Sequence, residues 1–321
     1  MTGPSTDELL ATADQSELRR LAEDLADLGL SETRVLGFYG WSHMAAMSWA
    51  ERKVADRLPL AARLVVLFTT RLALPRELAA AALGDLFEPL IATCLLEDDG
   101  KIVRSRMRLV PVGRSLLVCD HDELDEAAVA APDDSTYHLL GCLPDSFDSW
   151  LDVGTGNGAV ILARNRESAL GTDIDTRSLA CARLGARMSG RTDDRFEEAD
   201  GCQVPGRFDL VSFNAPLPRR LGDWSVPYRR SSDDHLLERF WSRVGERVAP
   251  GGQVLVHTWL DGNAVPAGLS GGEITIVHYT TDDQPHRFGM VRWRPDQPAA
   301  VHRKFQPLSR ARPHLCRQNL D

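Results

Sequence analysis

Three aspartates, a run of glycines and one asparagine are the residues of this 321-residue chain whose types and spacing could do chemistry. The glycines stand in "DVGTGNG", where Asp152 precedes Gly154 and the turn continues through Thr155, Gly156, Asn157 and Gly158. Glycine there allows positive φ and close backbone approach to a ligand. A dinucleotide turn spaces its glycines as G-x-G-x-x-G and sets a helix N-terminus against a pyrophosphate. This turn is G-x-G-x-G behind a carboxylate, which would repel phosphate and suit a cationic or amine-bearing ligand. S-adenosylmethionine has that character, with a sulfonium, an α-amino group and no phosphate. Asp173 follows Asp152 by 21 residues, where a carboxylate can accept from both ribose hydroxyls. Ile174 would pack on the adenine, and Asp175 reads as a helix N-cap. Asp200, with Gly201 after it in "FEEADG", could accept from the adenine amine. A lone aspartate at a helix start is usually a cap, so it is their order at strand–helix spacing that makes these a cofactor site.

The asparagine ends a different stretch, "FDLVSFNAPLP". Asp209–Phe213 reads as a buried strand, and Pro216 and Pro218 forbid its continuation. Asn214 therefore stands at a strand's carboxyl end, where open α/β sheets place their ligands. An amide or aryl-amine nitrogen has a delocalised lone pair and is a poor nucleophile. The Asn214 side-chain carbonyl can accept one hydrogen bond from such an NH₂ group and the Ala215 backbone carbonyl another. The structural alternative is a turn-forming asparagine before a proline. Downstream, Trp224, Tyr228 and Trp259 could wall an acceptor, and Arg219, Arg220, Arg229 and Arg230 could bind an anionic group or form a solvated basic loop. Asp234 is a helix cap or a base, and His235 a base or a polar helix start. The histidines show no metal-ligand spacing.

Elements of two textures must position these residues. From Ser149, short apolar runs alternate with helical patterns, the layout of a parallel sheet with crossover helices. Residues 5–95 are rich in Ala, Leu, Arg and Glu, with helical spacing from a Thr6 cap to Gly29 and again in "ARLVVLFTTRLAL" and "PRELAAAALGDLFEPLIATCLLEDD", Pro75 standing at a helix start. "GKIVRSRMRLVPVGRSLLVCD" alternates and reads as a hairpin. Helices followed by a two-stranded ribbon predict a winged-helix-like domain over residues 1–120, serving as a nucleic-acid contact or a substrate-side cap. The acidic, proline-containing residues 121–134 read as a linker, and 135–321 as the α/β domain.

Composition sets limits. The chain is 43% hydrophobic and 26% charged, as soluble globular proteins are. It has no apolar run long enough to span a membrane and no secretory signal pattern. Its six cysteines are scattered without a CxxC pair, which favours reduced thiols and a cytoplasmic location. A net charge of −9 argues against a large nucleic-acid footprint, which needs basic surface.

On these motifs the chain resembles the class I S-adenosylmethionine-dependent methyltransferases over about Asp133 to Gly262. "DVGTGNG" is similar to their first motif, "GTDID" to the second acidic motif and "ADG" to the third. "FNAPLP" sits where the small-domain, nitrogen-directed subgroup carries Asn-Pro-Pro-Tyr or Asn-Pro-Pro-Phe. "DDSTYHLLGCLP" is similar to the segment that crosses the cofactor pocket in these enzymes, which implies Thr136 as a cofactor contact. The resemblance implies a Rossmann-like sheet with helices on both faces, S-adenosyl-L-methionine as cofactor, and Asn214, Ala215, Pro216 and Leu217 as the catalytic motif. That subgroup methylates glutamine side-chain amides and exocyclic amines of nucleic-acid bases. Here Ala215 replaces a proline and Leu217 the aromatic that stacks on a flat target, which implies a smaller or less planar acceptor. The expected function is methylation of a nitrogen of a small molecule or peptide, with RNA or a protein glutamine as the alternative acceptor. Oxygen methylation through Asp234 or His235 as base, and a winged-helix DNA-binding regulator that only senses the cofactor, are further alternatives. The Ala/Leu-rich N-terminal helices could form a homodimer face.

Overall fold

The fold is that of a computed structural model, which describes residues 14–41, 44, 59–70, 72–121, 128–164, 169–191, 193–218, 230–231, 233–260, 262, 264–280 and 285–307. The first helix, α1, covers Gln15–Leu28; Asp14 accepts from the Ser16 amide at its start, and Gly29 ends it at φ +115°. Thr6, the expected cap, lies outside the described residues. Helices α2 (Glu32–Tyr39) and α3 (Leu60–Thr69) follow, then strand β1 (Leu74–Pro75) and helix α4 (Arg76–Leu83), which Pro75 opens. The helical pattern from Pro75 onward is not one helix. Gly84, at φ +55°, ends α4, and a 3₁₀ turn leads into α5 (Phe87–Ala92).

Strands β2 (Leu96–Asp98) and β3 (Ile102–Ser105) pair across a tight turn at Gly100, whose amide donates to Asp98. With β1 they form an antiparallel sheet in the order β1-β3-β2. Strands β4 (Arg108–Val112) and β5 (Ser115–Cys119) form a hairpin across Gly113 and Arg114. The expected single hairpin over this region is thus two structures, because the Asp-Asp-Gly turn before β3 pairs it backwards with β2.

The next elements are helix α6 (Asp134–Cys142), strand β6 (Trp150–Val153), helix α7 (Ala159–Arg164), strand β7 (Ala169–Asp173), helix α8 (Thr176–Met188) and strand β8 (Arg195–Glu198). Strand β9 (Phe208–Asn214), the two-residue strands β10 (Leu217–Pro218) and β11 (Arg230–Ser231), helix α9 (Leu236–Val244) and strand β12 (Val248–Trp259) come next. Strands β13 (Glu273–Thr280), β14 (Pro285–Arg294) and β15 (Ala300–Pro307) close the described chain.

The chain divides into two compact units, Met1–Pro132 with Gly156–Glu167 and Asp175–Asp194, and Asp133–Thr155 with Ser168–Ile174 and Arg195–Asp321. In the first, α8 lies close on β5. A Cβ on Gly185 would sit 3.1 Å from the Leu116 carbonyl, so glycine permits the approach. The Arg177 guanidinium grips the Asp120 carboxylate, with Nε at 2.9 Å.

The second unit holds an eight-stranded sheet in the order β15-β13-β14-β12-β9-β6-β7-β8. The strands from β12 to β8 run parallel, β14 is antiparallel to both its neighbours, and β15 runs parallel to β13 at the edge. This mostly parallel sheet with interleaved helices is a Rossmann-like fold. Successive strands step outward from β6 in both directions, so the strand order reverses between β6 and β9. Successive side chains on a strand face opposite sides. Phe213 meets Phe240 of α9, with ring centroids 4.9 Å apart, and marks one face. His257, level with Asn214, meets His138 of α6 on the other. Helices therefore cover both faces of this sheet. Residues 199–207, between β8 and β9, contain no helix.

Candidate active site

The site is built at the carboxyl ends of β6, β7 and β9, at the reversal of strand order where open α/β sheets bind ligands. Asp152 lies on β6 with 2% of its surface exposed. It accepts from the Ser212 hydroxyl at 2.5 Å, and Ser212 accepts from the Trp150 indole at 2.8 Å. Burial pushes the Asp152 carboxyl up to about 7, against the pull of the Ser212 and Thr155 hydroxyls. A buried carboxyl of that kind ionises readily once a cation sits beside it.

Gly154 follows at φ +60°, and a Cβ there would lie 3.0 Å from Cε2 of Phe213. The turn is pinned by the Thr155 amide donating to the Thr172 carbonyl at 2.8 Å. Gly156, Asn157 and Gly158 continue the chain into the first unit; both glycines have positive φ, and the Asn157 amide donates to the Ala130 carbonyl there.

Asp173 ends β7, and its carbonyl accepts from the Ala199 amide at 3.1 Å. Ile174, next in the chain, is 71% exposed. Asp175 caps α8 by accepting from the Arg177 and Ser178 amides. Asp200 and Gly201 line a cavity of about 350 Å³ with an apolar floor of Val153, Phe213 and Phe240 and a mouth carrying Arg239 and Arg243. Asp200 faces Gln203 at 3.2 Å and Arg239 at 3.7 Å. Cys202 lines the same cavity, where burial pushes its thiol up to about 12, so it is no nucleophile.

Asn214 ends β9. Its Nδ2 donates to the Ser135 hydroxyl at 2.8 Å, and its Oδ1 lies 3.1 Å from His257 Nδ1. The Ala215 amide donates to the His257 carbonyl at 3.0 Å, so the strand pairing reaches one residue past the asparagine. Ser135 in turn donates to the Asp133 carboxylate at 2.5 Å, and Asp133 accepts from the Thr136 amide to cap α6. Thr136 is buried in the first turn of α6. Burial and the neighbouring Asp134 raise the Asp133 carboxyl above the usual carboxylate range. Burial draws His257 down to about 3, so its ring is neutral. Neither His257 nor Ser135 was singled out from the sequence. They meet Asn214 across 43 and 79 residues of chain, and no local spacing announces such a meeting.

Leu217 is buried at 7% exposure and paired through β10 to β11, with Pro216 half-buried before it. Trp259 stands half-buried at the end of β12 in edge contact with Phe288. His235 is exposed and faces Glu238 at 3.2 Å. His235 is the N-cap residue of α9, without a side-chain cap bond, and its amide donates to the Asp233 carboxylate; Asp234, read as a cap or a base, does not cap the helix. Asp233 and Asp234 lie one residue apart, too close for spacing alone to separate. Arg219, Arg220, Trp224, Tyr228 and Arg229 lie outside the described residues, and Arg230 is described only as part of β11.

No family model matches the chain. A curated release factor glutamine methyltransferase of Agrobacterium fabrum is 38% identical over 76 residues, which are 22% of this chain and 26% of that protein. Among solved structures, a ribosomal protein L11 methylase from Lactobacillus delbrueckii subsp. bulgaricus is 21% identical over 39% of this chain and 57% of its own, with a TM-score of 0.30. An RNA methyltransferase from Salinibacter ruber, in complex with S-adenosyl-L-homocysteine, is 19% identical over 54% of this chain and 97% of its own, with a TM-score of 0.37. The chain thus spans about a quarter of the curated relative. What it is similar to, in sequence and in solved structures alike, is methyltransferases, among them a solved S-adenosylmethionine-dependent one from Clostridium acetobutylicum.

Proposed function

We propose that this chain is an S-adenosylmethionine-dependent methyltransferase acting on a nitrogen, amide or amine, of a small molecule or peptide, as in natural-product biosynthesis. One observation carries the proposal. Asp152, Asp173 and Asn214 lie at the carboxyl ends of adjacent parallel strands about the reversal point, beside an aliphatic side chain left 71% exposed. The donor set fits the cofactor. Asp152 would hold the α-ammonium, Asp173 the ribose hydroxyls, Ile174 the adenine face and Asp200 the adenine amine, with Gly154 allowing the backbone close and Thr136 at the wall. When bound, the cofactor supplies a methyl group made electrophilic by its sulfonium. Asn214 Oδ1 and the Ala215 carbonyl accept from the acceptor NH₂ and draw its nitrogen towards tetrahedral geometry. Alignment of that nitrogen with the methyl supplies much of the rate. His257 is neutral and already engaged, so among the described residues no strong base stands beside Asn214, which suits an acceptor that sheds its proton after transfer.

The curated relative is named for glutamine, and a side-chain amide is the acceptor class that Asn214 suits. RNA or a protein glutamine is therefore the second reading. Residues 1–120 we read as a winged-helix-like domain, 121–134 as its linker and 135–321 as the methyltransferase domain. The helix-and-strand sequence α3, β1, α4, α5, β2, β3 with sheet order β1-β3-β2 supports the winged-helix part. A cytoplasmic location and a homodimer through the N-terminal helices belong to the same reading. Among the described residues no helix is long and apolar enough to cross a membrane.

Calorimetric titration with S-adenosylmethionine and S-adenosylhomocysteine tests the core of it. Micromolar binding is expected, weakened roughly tenfold to a hundredfold in Asp173→Ala, the worth of hydrogen bonds to a charged group. A folded wild-type protein that binds neither compound would refute the cofactor site. Specific duplex binding with cofactor affinity but no turnover would favour the regulator instead.

A further inference from the structure

The hydrogen bonds around Asn214 run in one direction. Asp133 Oδ1 already accepts from the Thr136 amide, so it is the acceptor oxygen whether the carboxyl is ionised or carries a proton on Oδ2, and the proton in its 2.5 Å contact comes from Ser135. With its proton committed there, the Ser135 oxygen must accept, and its partner at 2.8 Å must be the Asn214 NH₂ group. That leaves Asn214 Oδ1 facing His257 Nδ1 at 3.1 Å. An oxygen facing a ring nitrogen requires that nitrogen to carry the proton. The opposite amide orientation would need Ser135 to donate towards Asn214, leaving its short contact with Asp133 without a hydrogen. Each group thus donates to the next, from β12 through β9 to the cap of α6.

We propose that His257 is a positioning residue, which, as the head of this directional chain, fixes the side-chain amide of Asn214 with its oxygen free to take an acceptor N–H on its second lone pair. The inference rests on the reading of Asn214 as the acceptor's partner. The surroundings of His257 suit a donor rather than a base. His138 packs on its ring at 6.2 Å between centroids, Tyr279 at 5.7 Å and Phe288 at 6.1 Å, and 5% of its surface is exposed. The ionisable groups at the far end of the chain are Asp133 and Asp134. A neutral imidazole keeps the proton on Nδ1 and leaves Nε2 bare. An asparagine at 257 could offer an N–H near the same place, and leucine could not.

The experiment has two arms on the full chain saturated with S-adenosylhomocysteine or S-adenosylmethionine. Long-range ¹H–¹⁵N correlation reads the tautomer of His257 between pH 5 and 8. We expect a neutral ring with the proton on Nδ1 throughout; a ring protonated on Nε2 alone, or an imidazolium, overturns the proposal. The second arm measures methyl transfer to a glutamine-containing peptide alongside calorimetric affinity for S-adenosylmethionine. His257→Leu should lower kcat roughly tenfold or more with cofactor affinity within about twofold of wild type, and His257→Asn should recover most of that loss. Unchanged kcat in the leucine variant also overturns it. Failure of the wild type to bind the cofactor, or to methylate the peptide, would count against the proposed function, and the tautomer would still decide the hydrogen-bond chain.

Discussion

Asp152 is the residue at which a proton and the cofactor should compete. Its folded value of about 7 stands above its ordinary 3.8, so between those values the folded chain holds a proton that the unfolded chain has lost. The stability this group contributes is present below pH 4 and is lost as pH rises through 7. Thermal unfolding of wild type against Asp152→Asn should therefore diverge across that window, with the wild type losing ground as the pH rises. Ligand binding has the opposite sign, because an ammonium beside Asp152 favours its ionised form. Titrations with S-adenosylmethionine at pH 6.5, in buffers of different ionisation enthalpy, should show proton release that disappears in Asp152→Asn. Asn214 should separate binding from chemistry. Asn214→Ala is expected to keep cofactor affinity and to lower kcat by roughly a hundredfold, the usual size of a lost transition-state hydrogen bond. Single-turnover measurement of methyl transfer to an unmethylated acceptor would check it.

At the scale of elements, the strand ends hold the site because their glycines let neighbours close in. A Cβ on Gly154 would meet Phe213 at 3.0 Å in a backbone region that L residues avoid, and one on Gly171 would meet Phe196 at 2.8 Å and Thr155 at 2.9 Å. Gly154→Ala should lower stability by about 1–2 kcal/mol and weaken S-adenosylmethionine binding at least severalfold, read by thermal melts and calorimetry. These elements were legible in the sequence. The short apolar runs announce β6, β7 and β9, and Asp152 and Asp173 sit at their carboxyl ends at strand–helix spacing. What was not legible is cross-strand. His257 stands beside Asn214 because β12 pairs with β9 in one register out of many, and a histidine inside "QVLVHTW" carries no mark of that. The same limit explains β3, whose alternation suits either neighbour and whose partner was chosen by the turn at Gly100. The same holds for Leu217, whose 7% exposure and pairing with Arg230 through β10 and β11 its place in "FNAPLP" does not announce.

For the whole molecule, an excess of acid governs which partners it meets. A net charge of −9 opposes the counterion release that drives duplex binding. Gel-shift titration on duplex DNA at physiological salt should show no retention below about 100 µM, the weak end of non-specific affinity. Tight, sequence-selective retention would favour the regulator. The short connector 199–207 has a consequence for finding the acceptor. Because residues 199–207 form no helix, a cavity of about 350 Å³, lined also by α9, opens beside Asp200, the residue proposed to take the adenine amine. A cofactor analogue bearing an alkyl group on that amine keeps one N–H for Asp200 and has room for the addition. The unaltered protein should therefore use such bulky analogues as handles, and an analogue carrying a clickable transferable group in place of methyl would tag its own acceptors in a mixed extract while enzymes with closed adenine pockets stay silent.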